Sequence, residues 1–238
     1  LVGDLSDTLQ ALSAAGGADI NPEFLALAAT SAAELSSTVA EGASMTGMPM
    51  HPLRVVHELH QLVTPDTTVA LDVGSHYIWM NRYLPTEHAR QVLVSNGQQT
   101  LGVALPWAIA ANLAHPNQPV IAVCGDGGFL FTATELETAV RIGCRFVLLI
   151  WDSQSYDMVE FQEQVYYGRV SGIKLGHYDA VKFAESFGCK GYVVTNSETF
   201  REVMQDALQQ IVPAVIQIPI DYSDNIKLMQ NIHQSFIH

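Results

Sequence analysis

The sequence predicts an α/β fold in which a parallel β-sheet carries helices on both faces. The first observation is that short apolar runs alternate with longer stretches of helical periodicity from about residue 51 onwards. The second is that the runs Val120–Cys124 and Phe146–Trp151 are apolar throughout and do not alternate with polar residues. Strands covered by helices on both faces have this composition. Strands separated by helices connect through right-handed crossovers, and this arrangement predicts a parallel sheet.

The first 45 residues differ in character from the rest, because they are rich in Ala and Ser. They predict helices over Asp4–Ser13 and Pro22–Ala40, and a proline in the first turn supports the second helix. The segment Glu41–Met50 contains glycines and a proline without periodicity, so it predicts a linker. We therefore divide the chain into residues 1–45, the end of an earlier domain with a linker, and residues 46–238, the main domain.

After this linker, strands and helices follow one another along the chain. Apolar residues recurring with helical spacing predict the helices, and short runs rich in β-branched residues predict the strands. The predicted helices cover His51–Val63, Ser75–Tyr83, Leu101–Ala114, Thr132–Ile142, Asp179–Phe187 and Ser197–Ile211, and another begins near Tyr156. The predicted strands cover Thr68–Val73, Gln91–Ser95, Val120–Cys124, Arg145–Trp151, Gly191–Val194 and Ala214–Ile218.

Composition and charge exclude several classes of function. The formal net charge is −13 with only 11 Lys and Arg residues, and nucleic acids bind surfaces rich in those residues. No apolar run reaches the ~20 residues that span a bilayer, so we expect no membrane partner. Cys124, Cys144 and Cys189 are far apart and lie in or beside apolar runs, as small buried hydrophobic residues do. We expect a reduced, cytoplasmic protein.

Candidate binding residues follow the strands, because ligands of parallel sheets lie at the carboxyl ends of strands. In Asp72–His76 a glycine precedes hydrogen-bonding residues, and Gly125–Phe129 contains three glycines and an aspartate. Glycines let the backbone approach a ligand, and free N–H groups at a helix start favour phosphate, although a tight turn without a ligand also explains GDGG. This turn fits neither the Walker nor the GxGxxG pattern. Asp126 would repel a phosphate unless a cation lay between them, so we predict Mg²⁺ and a further oxygen ligand from residues 151–159.

Longer segments of the chain resemble a known family. The GDG turn is followed by a strand and a polar loop, with a step of 27 residues from Asp126 to Ser153, and this arrangement is similar to the motif of thiamine-diphosphate enzymes. The resemblance covers roughly residues 46–230, while residues 1–40 resemble the end of the central domain of that family. Five segments, in the family's order, look like the cofactor-binding domain of catabolic, FAD-independent acetolactate synthases: Val94–Asn112, Cys124–Arg141, Tyr156–Gly172, Phe183–Gly188 and Ile218–Asn225.

The resemblance implies roles for individual residues around the cofactor. Gln99 would contact the aminopyrimidine ring, and Leu101 stands where a bulky apolar residue holds the cofactor in a V shape. Val159 and Gln162 would line the catalytic pocket above the thiazolium ring. Contacts with the diphosphate are implied for Gly74, Ser75, His76, Gly127, Gly128 and Tyr156.

The implied metal site departs from the family pattern at one position. Asp126 matches the first ligand, and Ser155 would offer its backbone carbonyl. The second side-chain ligand of the family is Asp or Asn, but gapless alignment places Ser153 there, with Asp152 beside it. Either Ser153 binds through its hydroxyl or a water, or the loop shifts so that Asp152 serves. We favour Ser153, because a shift would also move Ser155 and Tyr156.

By this resemblance the complete enzyme decarboxylates pyruvate and condenses the hydroxyethyl unit with a second pyruvate, which yields 2-acetolactate and CO₂ for acetoin and butanediol biosynthesis. Thiamine diphosphate and Mg²⁺ are the implied cofactors, and FAD is not expected. The implied assembly is a homodimer or homotetramer. In this family a glutamate from the N-terminal domain of a partner subunit activates the cofactor, so we expect the 238-residue piece alone to be inactive.

Two alternative functions stay open on the sequence alone. Another thiamine-diphosphate 2-keto acid decarboxylase or carboligase would use the same domain. The anabolic acetohydroxyacid synthases are an example, and there a Trp usually occupies the position of Gln162. The other alternative is a nucleotide-binding or assembly module without activity. A dinucleotide site predicts an acidic residue about 20 positions beyond a GxGxxG motif, and the sequence contains no such pair.

Overall fold

The computed structural model describes residues 4–16 and 21–226. Contacts along the chain divide it into two compact units, Leu1–Ser37 and Thr38–His238. The first unit contains α1 (Leu5–Ala15) and most of α2 (Pro22–Glu41). The second unit thus begins before the predicted boundary at residue 46. That boundary, and the assignment of the first residues to a central domain, stay predictions.

The second unit is built on one parallel sheet of six strands. The strands are β1 (Thr68–Leu71), β2 (Val92–Val94), β3 (Val120–Gly125), β4 (Val147–Asp152), β5 (Lys190–Val193) and β6 (Ala214–Pro219). They lie in the order β2-β1-β3-β4-β6-β5, and every neighbouring pair is parallel. The helices are α3 (Pro52–His60), α4 (Ser75–Tyr83), α5 (Ala104–Ala114), α6 (Asp126–Thr132), α7 (Glu135–Arg141), α8 (Asp157–Tyr167), α9 (Ala180–Glu185) and α10 (Phe200–Leu208).

Both faces of the sheet are buried, as the sequence predicts. Along β3, Ile121 and Val123 belong to one hydrophobic cluster, whereas Ala122 and Cys124 belong to another. Apolar residues of α3, α4 and α10 share the first cluster, and those of α5, α6, α7 and α9 share the second. Because successive side chains of a strand point to opposite faces, a strand between two such layers must be apolar throughout. The α/β fold with a parallel sheet is therefore confirmed.

Two predicted elements differ in the structure, and both lie beside the candidate site. The predicted helix Thr132–Ile142 corresponds to α7, and a separate helix that the sequence did not predict, α6, precedes it from Asp126 to Thr132. The glycines after β3 therefore lie in the first turn of a helix, where backbone N–H groups have no hydrogen-bond partner within the helix. The predicted helix from Leu101 begins only at Ala104, because Gly102 adopts a left-handed backbone conformation with φ of +82°.

Two further features of the structure concern its helices and its cysteines. Among the residues that the structure describes, no helix is long and apolar enough to cross a membrane. All three cysteines are buried free thiols, and burial raises the pKa of the Cys124 thiol. Cys124 and Cys144 pack in the second hydrophobic cluster, which agrees with their prediction as small hydrophobic residues.

Candidate functional site

A crevice opens at the carboxyl ends of β1 and β3. Strand β2 lies on one side of β1 and β3 lies on the other, so the connections leaving these strands diverge. Ligands of open parallel sheets bind where the strand order reverses in this way. A cavity of about 240 Å³ lies at this point. Its lining comprises Val73, Gly74, His76, Gln99, Leu101, Gly125, Asp126, Gly127, Gly128, Ser155, Tyr156, Asp157, Met158, Val159 and Gln162.

The structure brings most of the predicted site residues together around this single cavity. They come from the end of β1, the turn before α5, the start of α6 and the first turns of α8. Two predicted residues, Ser75 and Ser153, do not line it. The individual roles of all these residues stay predictions, but the residues that share the cavity lie up to 88 positions apart, from Gly74 to Gln162.

A larger hollow of about 460 Å³ lies at the opposite ends of the strands, where they begin. It is bordered by Val120 and Val147 at the amino ends of β3 and β4. Among its described lining residues, Arg145 carries the single charge. Since ligands of parallel sheets bind at the carboxyl ends, the smaller cavity is the better candidate for a functional site.

Close packing of Tyr156 against the start of α6 explains one of the glycines. A Cβ atom added to Gly127 would overlap Cε1 of the Tyr156 ring, far inside van der Waals contact. Only glycine therefore lets the aromatic ring approach this backbone. The packing joins the start of α6 to the loop before α8 and sets the width of the cavity between them.

The carboxyl group of Asp126 is buried and incompletely satisfied. Asp126 is 3% exposed, and its Oδ1 accepts a hydrogen bond from the Gly127 N–H at 2.9 Å. Its Oδ2 is buried without a hydrogen-bond partner among the described residues. Burial, with a smaller contribution from the nearby carboxyl group of Asp152, raises the pKa of Asp126 to about 7, although the Gly127 and Gln154 N–H groups act in the opposite direction. A cation bound at Asp126 would satisfy the free oxygen and offset both effects.

Oxygen atoms that could complete a metal site lie in the loop after β4. The Ser153 hydroxyl donates to the Ser155 carbonyl at 3.2 Å, and Ser153 faces a neighbouring hollow of about 410 Å³. Ser155 is buried and lines both this hollow and the cavity. The Asp152 carboxylate accepts from the Gln217 amide at 2.6 Å and from the Gln154 N–H at 3.1 Å. Both of its oxygens thus already have donors.

Metal binding would depend on carboxylate, carbonyl and hydroxyl oxygens together rather than on a cluster of several metal-binding side chains. Within the described ranges, no three His, Cys, Asp or Glu residues are grouped so that they could hold a metal ion. One carboxylate with backbone and hydroxyl oxygens suits Mg²⁺, which keeps several waters and also takes oxygens from phosphates.

His76 lines the cavity as a buried, neutral imidazole. The residue is 1% exposed, and its Nε2 lies 3.0 Å from the Asp72 carbonyl oxygen. A carbonyl oxygen can only accept, so Nε2 carries the proton and Nδ1 holds the lone pair. Burial lowers the pKa of His76 to about 4, and the hydrogen bond to Asp72 opposes this only in part. At neutral pH, His76 therefore brings a dipole but no charge to the cavity.

Ser75 contributes to a buried polar network instead of lining the cavity. Its hydroxyl accepts from the Asn225 amide at 2.8 Å and also hydrogen-bonds the Asp157 carboxyl group. Asn225 additionally accepts from the Trp79 indole at 2.7 Å and donates to Asp157 at 3.3 Å. Burial raises the pKa of Asp157 to about 6. The network joins the first turns of α4 and α8 to the segment after β6.

Sequence reasoning did not assign roles to Asp72, Asp157, Asn225 or Trp79. Asn225 lies 150 residues from Ser75 along the chain, so spacing alone gives no sign of their contact. The available signal was the final resembling segment, Ile218–Asn225, whose last residue closes the network. Asp72 was noted only as the start of a loop, although it is 1% exposed and burial raises its pKa to about 6.

Comparisons with known proteins agree with this geometry. Residues 72–218 match the family described as "Thiamine pyrophosphate enzyme, C-terminal TPP binding domain". The chain is 41% identical to "Acetolactate synthase, catabolic" of Raoultella terrigena over 100% of its own length and 43% of that protein. It is 48% identical to "Acetolactate synthase" of Bacillus subtilis over 75% of its length and 31% of that protein.

A solved structure shares the fold. An X-ray structure of an enzyme from Mycobacterium smegmatis, described as thiamin diphosphate-dependent, aligns with a TM-score of 0.64 at 23% identity. The alignment covers 74% of this chain and 32% of that one. The chain thus spans less than half the length of the relatives that it matches.

Proposed function

The chain belongs to the thiamine pyrophosphate enzymes as their C-terminal TPP-binding domain, and from this premise we propose that it holds thiamine diphosphate and Mg²⁺ for an acetolactate synthase. The observation that carries the proposal is that Asp126 lines the cavity between the ends of β1 and β3 with a buried Oδ2 for which the described residues offer no hydrogen-bond partner. A diphosphate alone would be repelled by this carboxyl group. A Mg²⁺ ion between the two anions makes their proximity favourable.

The diphosphate would occupy the part of the cavity nearest the strand ends. Gly74, Gly127 and Gly128 line the cavity there with backbone, and Tyr156 lines it beside Gly127. Neutral His76 can contact a phosphate oxygen only through a hydrogen that the ligand or a water supplies, since its Nδ1 is unprotonated. Ser75 would act through its backbone N–H in the first turn of α4, because its hydroxyl is already used.

The metal would be held by Asp126, the Ser155 carbonyl and the Ser153 hydroxyl. The 3.2 Å separation of the two serine oxygens is close to the spacing of adjacent ligands on one Mg²⁺, for which ligand distances of about 2.1 Å give an edge of about 3 Å. Asp152 is the alternative ligand, but donors already engage both of its oxygens. Asp152 would then add negative charge behind Asp126 and strengthen the need for a cation.

The ring half of the cofactor would face the turn before α5 and the first turns of α8. Gln99 and Leu101 line the cavity from the turn, and Val159 and Gln162 line it from α8. Bound thiamine diphosphate supplies the electron sink for decarboxylation of a 2-keto acid. Val159 and Gln162 lie three positions apart on one helical face and would shape the space for the second keto acid.

For the complete protein, we propose decarboxylation of pyruvate and transfer of the two-carbon unit to a second pyruvate, giving 2-acetolactate. The identities to two acetolactate synthases, one of them named catabolic, support this choice. The proposal includes a homodimer or homotetramer that works without FAD. A different thiamine-diphosphate decarboxylase or carboligase is the alternative, and quantifying the products formed from pyruvate by the complete enzyme separates the two.

Thermal unfolding of the 238-residue chain with different ligands tests the cofactor assignment. At a ligand concentration of 100 times Kd, binding stabilises a protein by about 2.7 kcal/mol. For a chain of this size the midpoint should then rise by about 5–10 °C. We expect this rise with thiamine diphosphate plus Mg²⁺ and none with NAD. A rise with NAD and none with thiamine diphosphate would reverse the assignment and favour a dinucleotide site.

A further inference from the structure

Asp72 places a buried carboxylate at the end of β1, between the two sides of the cavity. The sheet fixes its backbone, because the Asp72 N–H donates to the Val123 carbonyl at 2.9 Å. Its side chain is turned toward the turn before α5, and the Gly102 N–H lies 3.0 Å from Oδ1 and 2.9 Å from Oδ2. Its Oδ1 also accepts from the Val73 N–H at 2.8 Å. The carboxylate thus ties a strand of the sheet to a turn 30 residues away.

The amino end of α5 stabilises the negative charge of Asp72. Backbone N–H groups of Val103 and Ala104, besides those of Gly102 and Val73, hydrogen-bond the carboxyl group and lower its pKa against the larger effect of burial. The first N–H groups of a helix lack partners within the helix and carry a partial positive charge. Asp72 supplies their acceptor from outside the local sequence, as an N-cap side chain does from within it.

Backbone conformation and close contacts restrict the position of the turn that Asp72 holds. Gly102 has a φ of +82°, and a Cβ there would lie 2.7 Å from Cβ of Phe131. The Gly102 carbonyl accepts from the Thr132 hydroxyl at 2.9 Å, so α6 holds the turn from its other side. Gln99 adopts a φ of +52°, which a residue with a side chain keeps only when its surroundings impose it.

The same carboxylate also touches the other side of the cavity. A Cβ added to Gly128 would lie 3.1 Å from the Asp72 Oδ2. Gly128 stands in the first turn of α6, where the diphosphate is proposed to bind, while Gln99 and Leu101 face the proposed ring half. Asp72 therefore lies between the two halves of the cavity, although it does not line the cavity itself.

We propose that Asp72 is a positioning residue. It holds the turn that contains Gln99 and Leu101 in the position where this turn contacts the ring half of thiamine diphosphate. This inference rests on the proposed function. Loss of the carboxylate should let the turn move away from the end of β1, because among the described residues the Thr132 hydroxyl would then be the one remaining hydrogen-bond partner of Gly102. Binding of the ring half should then weaken, whereas the diphosphate half keeps its glycines and its metal ligands.

The test compares two ligands on Asp72→Asn in the 238-residue chain. Asparagine has the same shape and keeps one acceptor oxygen, but it lacks the charge that the N–H groups share. We expect the Kd for thiamine diphosphate with Mg²⁺ to rise about tenfold, equivalent to about 1.4 kcal/mol or one charge-assisted hydrogen bond. The Kd for inorganic pyrophosphate with Mg²⁺ should stay within about twofold of its value for the unmodified chain, since pyrophosphate occupies only the diphosphate half of the cavity. Calorimetry measures both.

A second variant keeps the test decisive if Asp72→Asn does not fold. Thr132→Val removes the hydrogen bond to Gly102 from the opposite side without changing a buried charge. It should raise the Kd for thiamine diphosphate about threefold and leave pyrophosphate binding unchanged, consistent with the loss of one neutral hydrogen bond. Amide hydrogen exchange should be faster at Gly102 in both variants.

Each remaining outcome has a distinct meaning. Equal weakening of both ligands, or unchanged binding of both, in the folded variants overturns the positioning role of Asp72. If the unmodified chain binds Mg²⁺ with pyrophosphate but not thiamine diphosphate, the ring half has no site and the inference fails. If the unmodified chain binds neither ligand, the proposed function itself is refuted, and the inference with it.

Discussion

At the scale of single residues, the site is defined by buried polar groups whose protonation depends on their surroundings. Burial raises the pKa of Asp72 and of Asp157 to about 6 and that of Asp126 to about 7. Burial lowers the pKa of His76 to about 4. Backbone and side-chain donors satisfy Asp72 and Asp157, whereas Oδ2 of Asp126 has no hydrogen-bond partner in the part of the chain that the structure describes. The free oxygen makes Asp126 the residue that most needs a cation.

His76 should stay neutral in the folded protein until the pH is far below 6.5. Its folded pKa of about 4 lies below the ordinary value of 6.5, so the unfolded chain binds more protons between these values. The contribution of neutral His76 to the free energy of unfolding is thus fully present above pH 6.5. It is lost as the pH falls toward 4, and the loss amounts to up to about 3 kcal/mol. NMR titration of the imidazole, assigned with His76→Gln, should give no midpoint above 5. A midpoint near 6.5 in the folded protein would show that the ring is solvated.

Ser153→Asp should tighten Mg²⁺ binding in the presence of thiamine diphosphate. The new carboxylate would stand beside the Ser155 carbonyl and add a second anionic ligand to Asp126. Mg²⁺ is held largely by charge, so we expect a gain of about tenfold in metal affinity. Calorimetric titration of Mg²⁺ into the chain with saturating cofactor measures the change.

Asp152→Asn is the matched control for that experiment. It changes the neighbouring residue by removing a charge whose two oxygens are already engaged by Gln217 and Gln154. We expect Asp152→Asn to weaken Mg²⁺ binding, and by a smaller factor than Ser153→Asp strengthens it. If Asp152→Asn abolishes the Mg²⁺ dependence and Ser153→Asp has no effect, Asp152 is the ligand, and the gapless alignment through this loop is wrong.

At the scale of elements, the strands could be predicted more fully than the segments that connect them. An apolar run predicts each buried strand, because helical layers on both faces of the sheet exclude polar side chains from the strand. Helix α6 had no such signal, because Gly127 and Gly128 in its first turn are typical of a loop. The shared cavity was predictable from the strand ends, but the position of Ser75 in a buried network beside the cavity was not, because its partner Asn225 lies 150 residues away.

Helix α8 is the element that should control the choice of acceptor. Gln162 lies on the cavity side of α8, one turn beyond Val159, and is exposed in this chain. In the complete enzyme, Gln162→Trp should raise the preference for 2-ketobutyrate over pyruvate, because a ring wall gives the extra methylene an apolar contact. One methylene is worth about 1–3 kcal/mol in such a pocket. Competition between the two keto acids, with products quantified, measures the ratio, and an unaltered ratio would remove Gln162 from the acceptor site.

At the scale of the whole molecule, the parallel sheet explains why distant parts of the chain form one site. The crevice lies where the strand order reverses at β1, and four separate segments meet there. The family match covers residues 72–218, from the end of β1 to the end of β6. The fold and the location of the site thus follow from the same feature, the order of strands in the sheet.

The central claim is that this cavity binds thiamine diphosphate through a Mg²⁺ ion held by Asp126. Calorimetric titration of thiamine diphosphate into the unmodified chain and into Asp126→Ala, each with and without Mg²⁺, tests it most directly. Since weakening even a supporting group of a metal site costs about 10–100-fold in affinity, loss of the carboxylate should cost at least that much. We predict Mg²⁺-dependent binding by the unmodified chain and none by Asp126→Ala, with unchanged circular dichroism. An equal, Mg²⁺-dependent Kd in both proteins would contradict the account.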